Sequence, residues 1–76
     1  MPSVMFVYKN KYATLTIDPF RRRSDVYSFI NIVFGCGSNV LLFDPNNPEV
    51  PVEFYSANPL PSYIVKKIKG VLDHLN

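Results

Sequence analysis

The chain contains one thiol, Cys36, and one imidazole, His74. A cysteine acts as a nucleophile only when a base or a local positive potential lowers its pKa, and the start of a helix provides such a potential better than its end. Cys36 lies in Gly35-Cys36-Gly37-Ser38, directly after a predicted helix, and His74 is two residues from the last position of the sequence. Cys36 therefore reads as a structural turn cysteine. One cysteine and one histidine fall short of the four ligands of a structural zinc site. The carboxylates Asp18, Asp25, Asp44, Glu49, Glu53 and Asp73 are scattered, with no pair at acid/base or calcium-loop spacing. Gly35-Cys36-Gly37-Ser38 also lacks the glycine pattern and the strand-to-helix context of a phosphate loop. The expectation is a protein that is not an enzyme and has no metal and no cofactor.

The remaining polar chemistry is cationic. Arg21, Arg22 and Arg23 precede the predicted helix, where guanidinium forks and free backbone N–H groups together suit a phosphate or a partner's carboxylate. Lys9 and Lys11 flank a predicted hairpin tip, and Tyr12 and Tyr55 are placed on the open face of a sheet, an arrangement comparable to sheets that stack bases on aromatics. The predicted element order differs from the common four-stranded RNA-binding module, and exposed tyrosines are equally at home at protein interfaces. Lys66, Lys67 and Lys69 read as the solvated face of a second helix.

These side chains need a scaffold, and the clearest periodic signal is in Ser24 to Gly37. Val26, Phe29, Ile30, Val33 and Phe34 follow the i, i+3, i+4, i+7, i+8 pattern of an amphipathic helix. Ser24 is its expected N-cap, Asp25 suits the positive end of its dipole, and Gly35 or Gly37 can close it. Before it, Val4–Lys9 and Tyr12–Ile17 read as a hairpin turning at Asn10-Lys11. Pairing Lys9 with Tyr12 sets Tyr8 against Ala13, Phe6 against Leu15 and Val4 against Ile17 on one apolar face. Met5, Val7 and Tyr12 then point the other way.

After the helix, 39–44 reads as a strand, 44–48 as a turn, and 50–56 as an edge strand because of Pro51. Asn58-Pro59 is read as opening a second helix, with Leu60, Ile64, Ile68, Val71, Leu72 and Leu75 as its apolar stripe. The predicted fold is thus α+β, a ββαββα two-layer sandwich: a four-stranded, mainly antiparallel sheet with two helices on one face. Residues 1–76 are read as a single compact domain.

Composition narrows the class. The sequence is 47% hydrophobic and only 18% charged, with 14% aromatics and a net charge of +2. That apolar content argues for a folded domain, while the few charges in so short a chain leave apolar side chains to be covered by a partner or a second copy. The start lacks a basic signal-peptide region, no apolar run is long enough to span a membrane, and a lone cysteine suits a reducing compartment, so the expected home is the cytoplasm. Two functions follow. The first is a small non-catalytic protein-binding module, a regulator, inhibitor or assembly subunit of the size viruses and phages direct at host machinery, acting through Met5, Val7, Tyr12, Tyr55, Arg21, Arg22 and Arg23. The second is a small basic nucleic-acid-binding domain using Lys9, Lys11, Arg21, Arg22 and Arg23. A homodimer, through the open sheet face or an edge strand, is expected as well.

Overall fold

A computed structural model describes residues 3–37 and 39–68. In chain order they form β1 (Ser3–Tyr8), β2 (Lys11–Thr16), α1 (Arg23–Phe34), β3 (Val40–Asp44), β4 (Asn47–Val52) and β5 (Ser62–Lys67). The strands make one five-stranded sheet in the order β2-β1-β5-β3-β4. β5 is parallel to β1 and antiparallel to β3, and the two outer pairs are antiparallel.

This corrects the predicted architecture. The sheet has five strands and is mixed, and α1 is the one helix among the described residues. The segment read as the start of a second helix supplies the central strand β5 instead. Two physical signals outweigh the i, i+4 spacing of Leu60, Ile64 and Ile68. Pro61 disfavours helical backbone at Leu60, and Tyr63-Ile64-Val65 is a β-branched and aromatic run. Its burial alternates as a strand's should, with Tyr63 and Val65 buried and Ile64 and Lys66 on the other side. The rest of that expected helix, from Lys69 to Leu75, lies outside the described residues, as does His74.

The hairpin forms with a shifted register. Tyr8 pairs with Lys11, Phe6 with Ala13 and Val4 with Leu15, so the turn residues are Lys9 and Asn10 rather than Asn10 and Lys11. Lys9 adopts φ +55°, the left-handed conformation that a two-residue hairpin turn demands. The shift is two residues, so every side chain keeps its predicted face. β4 starts at Asn47, earlier than expected, and stops at Val52.

The helix begins one residue ahead of the predicted cap. Arg22 holds the N-cap position with extended backbone and makes no side-chain capping bond, which leaves Ser24 inside the first turn. At the other end Gly35 takes φ +64° and its N–H donates to the Asn31 carbonyl at 2.7 Å, while the Asn31 side chain accepts from the Gly37 N–H. Val26, Ile30 and Phe34 are buried against the sheet, and Val33 of the predicted stripe is exposed.

The core lies between α1 and one sheet face. Val4, Phe6, Leu42, Tyr63 and Val65 project from the strands, and Ile17 and Phe54 close its ends. Phe6 stacks on Tyr63 at 5.7 Å between ring centroids and tilts against Phe54 at 6.3 Å. Cys36 belongs to this core too: it is buried, with its thiol directed at the Ile30 and Gly37 carbonyls. The small-residue loop therefore does not present a thiol to solvent.

Candidate functional site

The face opposite α1 carries no helix among the described residues. Its side chains are fixed by the registers of four strand pairs. Tyr12 lies opposite Val7, Val7 beside Ile64, Ile64 opposite Phe43, and Phe43 opposite Pro51. These five residues form one straight row of apolar side chains across all five strands. Period-2 alternation places Met5 next to the row on β1 and Leu41 next to it on β3, each 40% exposed. Tyr12 is 74% exposed. Polar positions on the same face are Thr14 and Thr16 of β2, Ser62 of β5 and Lys66, whose ammonium sits 4.7 Å from the centre of the Phe43 ring. Phe43 itself is buried, at 7% exposure, and Lys66 is one of the described groups packed on its ring.

Where β1 and β5 run out in parallel, the face deepens into a groove of about 550 Å³ lined by Val7, Tyr8, Lys9, Ile64, Val65, Lys66 and Lys67. Its floor is apolar and its rim holds three ammonium groups. Lys9 also reaches the Tyr8 ring at 5.4 Å. Among the described residues the charged groups that line the groove are all cationic.

The predicted site residues do not gather in one place. Met5, Val7 and Tyr12 lie together on the open face as expected. Lys9 is on the groove and Lys11 opens β2, across the hairpin turn from it. Tyr55 is elsewhere: it follows β4 and lines a separate cleft of about 280 Å³ with Arg21, Arg23, Pro19 and residues 54–57. The arginine run faces that side as well. Arg21 is held through its backbone, whose carbonyl accepts from the Ser56 hydroxyl at 2.7 Å, and Arg22 is exposed at the helix cap. Arg23 forms an ion pair with Glu53 and lies 5.8 Å from the Tyr27 ring centre. Hydrogen bonding to Tyr27, with help from the Glu53 carboxylate, holds its guanidinium pKa above the ordinary value.

Ile64 and Lys66 as members of this face, and Lys67 as part of the groove, escaped the sequence reading because the segment that holds them was assigned to a helix. The alternation of Tyr63, Ile64, Val65 and Lys66 after Pro61 is the signal that places them. The pair Leu41/Phe43, rather than Val40/Leu42, supplies the β3 contribution. Among the described residues, no three His, Cys, Asp or Glu side chains come together as metal ligands would, and no helix is long and apolar enough to cross a membrane. No family model, curated protein or solved structure matches the chain.

Proposed function

We propose that the chain is a small non-catalytic protein-binding module whose open sheet face docks on another protein. The observation that carries this reading is the exposed apolar surface of Tyr12, Met5, Leu41 and Pro51, joined across the sheet by the half-buried Val7 and Ile64 and the buried Phe43. Contiguous exposed apolar surface with a polar rim is costly to leave in water and typical of interaction sites. The lysines on the groove rim define the complementary chemistry: a partner surface with apolar side chains flanked by carboxylates. Regulator, inhibitor and assembly subunit are all roles that direct occupancy of a partner's surface serves, and the cytoplasm remains the proposed compartment.

The nucleic-acid alternative draws on Lys9 and Lys11 with the exposed Tyr12. Its weakness is charge distribution. A nucleic-acid footprint needs a continuous basic stripe, whereas Lys9 lines one cleft, Arg21 and Arg23 line another, and Arg23 is paired with Glu53.

The test compares tagged wild type with a Met5→Lys/Leu41→Lys variant in capture from the native host's lysate, with and without nuclease, folding being checked by circular dichroism. Ile32→Lys, on the solvent side of α1 where Ile32 is 81% exposed, is the control. A protein captured by wild type and the control but lost with the double variant supports the reading. Equal capture by all three, or capture abolished by nuclease, overturns it.

A further inference from the structure

The two edges of the sheet are unlike. β4 carries Pro48 and Pro51, which offer no backbone N–H, and its register with β3 is broken by an irregularity at Phe43/Asp44. β2 (Lys11–Thr16) has no proline and no break, and pairs on one side only among the described residues. Its hydrogen-bonding direction follows from the turn. Tyr8 and Lys11 flank a two-residue turn and form its bonded pair, so Phe6↔Ala13 and Val4↔Leu15 are bonded as well. The Met5 N–H agrees, since it donates away from β2 to the Pro61 carbonyl at 3.1 Å. Tyr12, Thr14 and Thr16 therefore direct their N–H and C=O groups outward from the sheet edge.

We infer that β2 is a homodimer edge: it pairs antiparallel with β2 of a second copy, with Thr14 on the two-fold axis. In that register Thr14 faces the partner's Thr14 and Tyr12 faces the partner's Thr16, so each outward group finds a bonding counterpart. All of these pairs are neutral and suited to a sheet. The charges select this pairing too. Lys11 opens the strand and Asp18 follows it, so antiparallel self-pairing brings Lys11 within one residue of the partner's Asp18 at both ends of the junction while keeping like charges apart. A foreign strand would need the same charge order, which the second copy has by construction. The edge argument is independent of the open face, which stays available in the dimer.

The test is sedimentation of the full chain up to about 100 μM, where even a weak dimer is populated. Wild type is expected to dimerise. Thr14→Pro removes an outward N–H and no bond to β1, and should sediment as a folded monomer. Thr14→Lys sets two ammonium groups face to face and should act likewise if proline disturbs the hairpin. Thr14→Cys should cross-link to itself on oxidation, because a bonded antiparallel pair has Cα atoms about 5.5 Å apart, within disulfide reach. Tyr12→Cys, four residues out of register with itself, should not. A wild-type monomer at that concentration, a dimer that persists in both Thr14→Pro and Thr14→Lys, or equal cross-linking at positions 12 and 14 would overturn the inference. Failure here with partner capture intact would leave the open-face reading standing.

Discussion

The two faces of the sheet are built from the same strands and alternate residue by residue, yet α1 seals one while no helix among the described residues covers the other. On the sealed face Phe6, Tyr63 and Leu42 lose essentially all solvent contact beneath α1. On the open face the adjacent residues Val7, Ile64 and Phe43 are just as apolar, with Lys66 set over the Phe43 ring. Met5, Leu41 and Tyr12 of that face keep 40% or more of their surface exposed, so their burial contributes little to the fold. The difference teaches that this chain keeps two hydrophobic surfaces, one closed by its own helix and one that the proposed function assigns to a partner.

The largest expected effect is the cost of truncation on each face. Phe6→Ala should lose about 3–5 kcal/mol, through lost burial and the cavity left, whereas Met5→Ala, one residue away on the open face, should lose less than about 1 kcal/mol. Urea unfolding of both variants checks this, and equal losses would erase the distinction between the faces. Next comes the hydroxyl on the sealed side. Tyr63 accepts the Leu60 N–H at 2.8 Å, so Tyr63→Phe should cost about 1 kcal/mol.

The same residue gives a pH signature. Burial raises the Tyr63 phenol pKa in the fold, so the folded state holds its proton more tightly than the unfolded chain does. That contribution is fully present below the unfolded tyrosine value of about 10 and declines as pH rises past it, a decline that Tyr63→Phe should reduce in pH-dependent melting. Smaller still is the Arg23–Glu53 pair, both of whose side chains are more than half exposed. A double-mutant cycle should return only a small coupling, one that shrinks further when salt is added. The smallest effect is at the hairpin tip. Lys9→Gly relieves the positive φ at the expense of unfolded-state entropy and should gain a few tenths of a kcal/mol in the same urea assay.

How far the sequence was legible follows from local versus long-range control. The hairpin faces were readable because period-2 parity depends only on neighbouring residues and survives a two-residue shift in register. α1 was readable from Val26, Ile30 and Phe34, and its end from Gly35. Its cap was not, since Arg22 occupies that place without the side-chain bond that marks Ser24 as the better candidate. β5 was hidden because Leu60, Ile64 and Ile68 also fit a helical stripe, and because its two neighbours lie far from it in sequence. Of the site, Met5, Val7 and Tyr12 were legible for the same reason as the hairpin. Tyr55 was misplaced because β4 stops before it, and Ile64 and Lys66 could not join the face until β5 took its place in the centre.

The prolines of β4 have a consequence for how many molecules can join. A sheet with two receptive edges has a valence of two, and each added copy exposes a fresh end, which is how ribbons and fibres grow. Pro48 and Pro51 reduce the valence to one. In the proposed dimer a particle with a single sticky end stops growing at the first encounter, which would leave a discrete species rather than a polymer.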